Sequence, residues 1–162
     1  MKIAAPFLLG LMLLSGAAHA QAPVATAPAV DPRLAEAQAF LVKNGADPAV
    51  KTLPSGLQYK VVKSGPPGPS PKSGDAIKVH YEGGLPDGTV FDSSIQRGKP
   101  ALMMLDDLIP AWVEALPLMK VGDEWTIYAP PSLGYGERGI GPIPPNAVLI
   151  FRLQLLGMLS AD

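Results

Sequence analysis

Residues 79–94 read VHYEGGLPDGTVFDSS. The first half alternates: Val79 and Tyr81 fall on one side and His80 and Glu82 on the other, which is the two-residue period of a strand. Extended back to Ala76, the same stretch adds Ile77 to the apolar face and Lys78 to the polar one. Leu85-Pro86-Asp87-Gly88 is a turn with a mechanism: Pro presets its φ, Asp bonds back to the backbone and Gly supplies positive φ. The chain then returns through Val90 and Phe91 to Asp92 and two serines. A carboxylate directly after a Phe, with a Tyr on the opposing strand and no obvious nucleophile, points away from covalent chemistry.

The same alternation recurs elsewhere. In Gly56–Val62, Leu57, Tyr59 and Val61 oppose Gln58 and Lys60. In Glu124–Ala129, Trp125 and Ile127 share a side, and in Ala147–Gly157 Leu149, Phe151, Leu153 and Leu155 oppose Arg152 and Gln154. One helix interrupts these strands: Pro110 suits a first helical position, and Ile109, Trp112, Val113 and Leu116 make a single apolar stripe before Pro117. Antiparallel strands with one amphipathic helix and no βαβ alternation define an α+β domain, with the helix across the inner face of the sheet.

The 162-residue chain opens MKIAAPFLLGLMLLSGAAHA. Lys2, the apolar run Phe7–Leu14 and Ala18-His19-Ala20 have the form of a cleavable signal peptide over residues 1–20, with a mature start at Gln21. The run is too short to remain as a membrane span, and no Cys follows it for lipidation. The expected location is the bacterial periplasm or the exterior. Residues 21–32 are Ala- and Pro-rich and read as a flexible linker. Arg33–Asn44 places Leu34, Ala37, Phe40 and Leu41 on one helical face, started by Asp31-Pro32 and stopped by Gly45. A helix this short must dock or fray. The expected divisions are leader 1–20, linker and helix 21–52, and a domain over 53–162 with its strands beginning at Leu53.

One of the thirteen Lys and Arg lies in the leader, leaving twelve against fourteen Asp and Glu. That balance argues against nucleic acid as a partner. The absence of Cys excludes disulfides, thiol nucleophiles and Cys-based zinc sites, and His80 is the single His outside the leader. It shares the polar face with Lys78 and Glu82 and reads as a surface residue.

Six pieces now stand in register: VHYEGGLPDGTVFDSS, Arg97–Pro100, LIPAW at Leu108–Trp112, Met119–Gly122, Gly134-Tyr135-Gly136, and IPPNAVLIF at Ile143–Phe151. Together they resemble the FKBP-type peptidyl-prolyl cis-trans isomerases across about Leu53–Gly157, and FLVKN with the VKTLPSGLQYKVV that follows resembles the bacterial Mip-like branch. The resemblance implies a twisted antiparallel half-barrel wrapped around one short helix. It implies an apolar pocket floored by Trp112, walled by Tyr81, Phe91 and Phe151, and edged by Leu108 and Ile109, whose N–H donates to a substrate carbonyl. It further implies that Tyr135 and Ile143 close the loop side, that Asp92 is the single pocket carboxylate, and that Arg97 stands near it. Asp92, Tyr135 and Phe151 are the expected catalytic residues. The substrates implied are proline-containing polypeptides, with no cofactor and no metal; a non-catalytic chaperone or binding module is the competing reading.

Singly, these residues are unremarkable. Asp92-Ser93-Ser94 reads as a turn or cap, Tyr81, Phe151 and Trp112 as core, Arg97 as a solvated charge and Gly134–Gly136 as a flexible loop. Their common register is what carries the reading.

Three departures matter. Ala101-Leu102-Met103-Met104 lacks the aromatic that the family offers there, so Met103 is expected to take its place. Asp106-Asp107 adds negative charge at the pocket mouth, and the GERGIGPIPPN loop is a residue short. With only about one helix ahead of the domain, a monomer is expected. The altered pocket is expected to bind the family's macrolide inhibitors more weakly than a fully aromatic one does; equally tight binding in a fluorescence titration would contradict this.

Overall fold

The computed structural model describes residues 31–161. The leader 1–20 and most of the Ala/Pro-rich linker lie outside the described residues. Helix α1 spans Pro32–Gly45; the strands are β1 Val50–Thr52, β2 Gln58–Lys63, β3 Ala76–Gly84, β4 Val90–Ser93, β5 Ala101–Met104, β6 Glu124–Ala129 and β7 Leu149–Leu159; helix α2 spans Pro110–Ala115 between β5 and β6. They form one antiparallel sheet in the order β1-β2-β6-β7-β3-β4, with β5 also paired to β3. β3 is the spine. One edge runs along β7, while the other pairs first with β5 at Ala76–Val79 and then with β4 at Glu82–Gly84.

The alternation in the sequence becomes the inner face of this sheet. Ile77, Val79 and Tyr81 of β3, Trp125 and Ile127 of β6, and Leu149, Phe151, Leu153 and Leu155 of β7 are all buried. Helix α2 lies against that face. The expected start at Pro110 is observed, with the N–H groups of Trp112 and Val113 donating to the Ile109 carbonyl. The expected stripe needs correcting: Val113 is exposed, whereas Ala111, Trp112, Ala115 and Leu116 are buried. A helix one and a half turns long seats its small residues closest to the sheet, and their lack of bulk is what lets the Trp112 ring reach it. Pro117 does not stop the helix outright but lies within a 3-10 turn, Leu116–Leu118.

The N-terminal helix docks. Asp31 caps it by accepting from the Arg33 N–H (2.9 Å), and Leu34, Ala37, Phe40 and Leu41 face inward as the spacing predicts. Phe40 meets Tyr128 with ring centroids 6.2 Å apart. This docking overturns part of the β2 reading. Gln58, assigned to the polar face, is 5% exposed because α1 covers it; its side-chain amide donates to the Leu41 carbonyl (2.8 Å) and accepts from Asn44 (2.9 Å). Val61, assigned to the apolar face, is exposed where β2 passes a register shift and leaves the core. Strand β1, ahead of Leu53, pairs with β2; three residues with one apolar side chain carry too little periodicity to announce themselves.

Gln58→Ala is expected to cost about 1–3 kcal/mol, because it strips two buried hydrogen bonds from the helix–sheet junction. Urea unfolding measures this, and a change within error would mean that apolar docking alone holds α1.

Candidate functional site

The inner face of the sheet ends in a cavity of about 410 Å³ between β3, β4, β5, β7, α2 and the loop before β7. Its floor is Trp112, 4% exposed, whose indole N–H has no partner among the described residues. Four rings are joined edge to face around it. Tyr81 meets Trp112 at 5.2 Å and 78°, Trp112 meets Phe151 at 5.3 Å and 89°, and Phe151 meets Phe91 at 5.7 Å and 85°. Such tilted contacts set the positive edge of one ring against the negative face of the next and hold all four in fixed orientation.

A residue missed in the sequence makes this possible. Gly83 follows Ile77, Val79 and Tyr81 on the inward phase of β3; a Cβ there would lie 2.7 Å from both Phe91 and Phe151. The missing side chain is the space into which the two phenyl rings pack. A gap in an otherwise apolar alternation was the available signal.

Met103, Leu108, Ile109, Tyr135 and Ile143 line the same cavity, as does Asp92. All of the expected site residues except Arg97 therefore converge on its wall. Asp107, expected only as charge at the mouth, lines it as well, so Asp92 is not its single carboxylate; Ile140, Gly141 and Pro142, not assigned to the site in advance, complete the lining. The Ile109 N–H has no hydrogen-bond partner among the described residues. Tyr135 stands 38% exposed on the loop side.

Arg97 acts from outside the cavity. Its guanidinium pairs with Asp92 and donates to the Tyr81 hydroxyl (3.0 Å), which itself donates to Asp92. The three groups form a closed triangle at the pocket mouth. Desolvation, the largest single influence, pushes the Asp92 carboxyl up; the Tyr81 hydroxyl and Arg97 outweigh it together and hold the group below the usual carboxylate range. Burial first, and the bond to Asp92 second, push the Tyr81 phenol up, so it stays protonated.

The two serines do other work. Ser94, fully buried, accepts from the Tyr81 N–H (2.8 Å), while its own N–H donates to the Tyr81 carbonyl (2.9 Å); its hydroxyl lies 3.0 Å from His80 Nδ1. Ser93 accepts from the Gln96 N–H (3.1 Å) and donates to Glu82 (3.0 Å). The cap-and-turn reading of this tripeptide thus describes the serines, which clamp the β3–β4 hairpin; Asp92 alone goes to the pocket.

Comparison with known proteins agrees with this architecture. The family described as FKBP-type peptidyl-prolyl cis-trans isomerase matches residues 68–156, and the domain amino terminal to it matches residues 15–61. The peptidyl-prolyl cis-trans isomerase Mip of Coxiella burnetii is 51% identical over 124 residues, 76% of this chain and 54% of that protein. The crystal structure of FkpA from Escherichia coli aligns with a TM-score of 0.77 at 39% identity, covering 81% of this chain and 61% of that one. A crystal structure of a peptidyl-prolyl cis-trans isomerase from Pseudomonas syringae pv. tomato aligns with a TM-score of 0.74 at 32% identity, over 80% of this chain and 95% of that one. The chain belongs to the FKBP-type peptidyl-prolyl cis-trans isomerase family. It spans about half the length of the curated relatives it matches.

The Asp92 triangle predicts a pH dependence of stability. Its folded pKa lies below the unfolded value of ~3.9, so ionised Asp92 stabilises the fold above that pH, and the contribution is lost as pH falls through the lowered folded value. Asp92→Asn is therefore expected to be less stable at neutral pH and to lose less on acidification. Urea unfolding over a pH series checks this; an acid limb as steep as the wild type's would contradict it.

Proposed function

We propose that this chain accelerates rotation about X–Pro peptide bonds in polypeptides. The barrier to that rotation is about 18–20 kcal/mol and arises from amide resonance. No bond breaks, so the chemistry calls for no nucleophile, metal or cofactor. In the transition state the nitrogen is pyramidal and the C–N bond single, which makes the amide less dipolar than its planar ground state. A dry aromatic pocket therefore favours the twisted form over the planar one, which is the differential binding that catalysis requires.

The observation that carries this reading is the convergence of Tyr81, Phe91, Trp112 and Phe151 on one cavity whose volume suits a small ring. Trp112, Phe91 and Phe151 are assigned the pyrrolidine ring. The Ile109 N–H is assigned a flanking substrate carbonyl, and Leu108, Met103 and Ile143 the surrounding apolar wall. Asp92, held by Tyr81 and Arg97, orients the twisting amide without moving a proton, and Tyr135 approaches from the loop. Asp107 places a carboxylate at the mouth and bears on the residue next to proline.

Cellular setting and assembly are part of the proposal. Residues 1–20 direct export to the periplasm and are removed, residues 21–52 carry the linker and helix and end in the edge strand β1, and residues 53–162 form the catalytic unit acting on exported, folding chains. Slow X–Pro isomerisation limits the folding of such chains. Among the described residues no helix is long and apolar enough to cross a membrane. The inward face of α1 is spent on its own sheet, which supports a monomer.

Isomerisation of tetrapeptides with varied residues before proline tests the reading. Asp92→Ala is expected to lower kcat/KM roughly tenfold, about 1.4 kcal/mol of transition-state stabilisation. Full activity would remove Asp92 from the mechanism. Suppression of aggregation with no isomerisation would favour the chaperone reading, to which the Met103 substitution lends its one structural argument.

A further inference from the structure

The wall of the cavity opposite the sheet is a loop, and its far side touches α1. The loop is internally closed. Ile140 and Ile143 exchange N–H···O bonds at the tip (2.9 and 2.8 Å), and the Asn146 N–H donates to the Gly136 carbonyl (2.8 Å) at the base. Its limbs pass so close that a Cβ on Gly139 would lie 2.3 Å from the Ile143 carbonyl oxygen. The bonds at tip and base hold the two limbs together, so an anchor at the base steadies both Tyr135 and Ile143, and loosening it loosens the tip bonds as well.

That anchor is Asn146. It has φ +56, in the left-handed region that Asn tolerates better than other non-glycine residues, and it is 7% exposed. From this conformation its side-chain amide donates to the second carboxylate oxygen of Asp31 (2.8 Å), while the first oxygen caps α1 through the Arg33 N–H. One carboxylate thus joins the start of the N-terminal helix to the base of the pocket loop, 115 residues away. Beside the joint lies a hollow of about 250 Å³ lined by Arg33, Ala37 and Phe40 on one side and Pro144, Pro145 and Val148 on the other.

We propose that Asp31 and Asn146 are positioning residues through which α1 sets the placement of the Tyr135–Ile143 wall, and hence how tightly a proline-containing substrate is held. The inference rests on the isomerase reading for its kinetic consequence, not for its structural one. Helix α1 is then part of the enzyme's specificity apparatus rather than a separate appendage. Asp31 is held ionised well into acid by the Arg33 N–H first and Asn146 second, so the joint persists at working pH.

The test uses the full chain and two variants chosen to spare the fold. Asp31→Ser keeps a helix cap but cannot serve both partners; Asn146→Gly keeps the left-handed backbone and removes the amide. Each is expected to speed hydrogen exchange at the Ile140 and Ile143 amides, and to raise KM for a tetrapeptide by roughly threefold or more while kcat stays within about twofold. The double variant is expected to match either single one, since both cut the same bond. Unchanged exchange in both single variants, additive effects in the double one, or a fall in kcat with KM unchanged would each overturn the proposal. If the wild-type chain fails to isomerise any peptide, the functional reading falls, and hydrogen exchange alone still decides whether α1 positions the loop.

Discussion

The structure depends on the edge-to-face contact of Trp112 with Phe151 and Tyr81. This contact ties the short helix to the two central strands, and it is also the floor of the cavity. If the rings were free to rotate, the floor would admit water and the low polarity of the site would be lost. Gly83 is the quiet partner: the rings of Phe91 and Phe151 lie where any side chain at that position would have to be. Core packing and site construction are here one physical problem, because the same aromatic surfaces face the protein on one side and the cavity on the other.

Around that aromatic floor the charged and hydroxyl groups are held by one another or by the backbone. Asp92, Tyr81 and Arg97 satisfy one another at the mouth, half in water, where a charge is tolerable. Ser94 lies deeper but gives its hydrogen-bonding capacity to the backbone of Tyr81 and the ring of His80. The residue positions that look most alike in DSS thus differ most in purpose: alternation sends Asp92 and Ser93 to opposite sides of β4, and Ser94 replaces the ladder where β4 ends.

The inward faces of β3, β6 and β7 were legible from the sequence because each is long enough for a two-residue period to be unambiguous and lies in the middle of the sheet. Helix α1, with its cap and its inward residues, was legible for the analogous reason over four turns; its expected stop was not, since Gly45 is still helical and the helix ends on Ala46. The errors cluster where an element is short or its environment comes from far away. In α2, six residues cannot distinguish a stripe through Val113 from one through Ala111 and Ala115. Gln58 looks polar and is buried only because a helix from upstream covers it. β1 is too brief to show any period at all. For the site, the six motifs in register named the pocket residues through a resemblance, whereas spacing alone would have returned core residues and a turn. Asp107 and Ile140–Pro142 were visible as departures but not as pocket lining, since a loop has no periodicity from which to read a direction.

By itself, the sequence determined the class of fold, the inward faces of β3, β6 and β7, the position of both helices and the chemical character of the site, aromatic and without a thiol. Periodicity and residue type are local properties, and they survive being read in one dimension. Tertiary structure alone decided that Arg97 closes a triangle with Asp92 and Tyr81, that Gly83 makes room for two rings, and that Asp31 holds Asn146. Each of these is a contact between residues whose meeting depends on the register of a whole sheet. No local pattern encodes a distance set by the way distant elements pack.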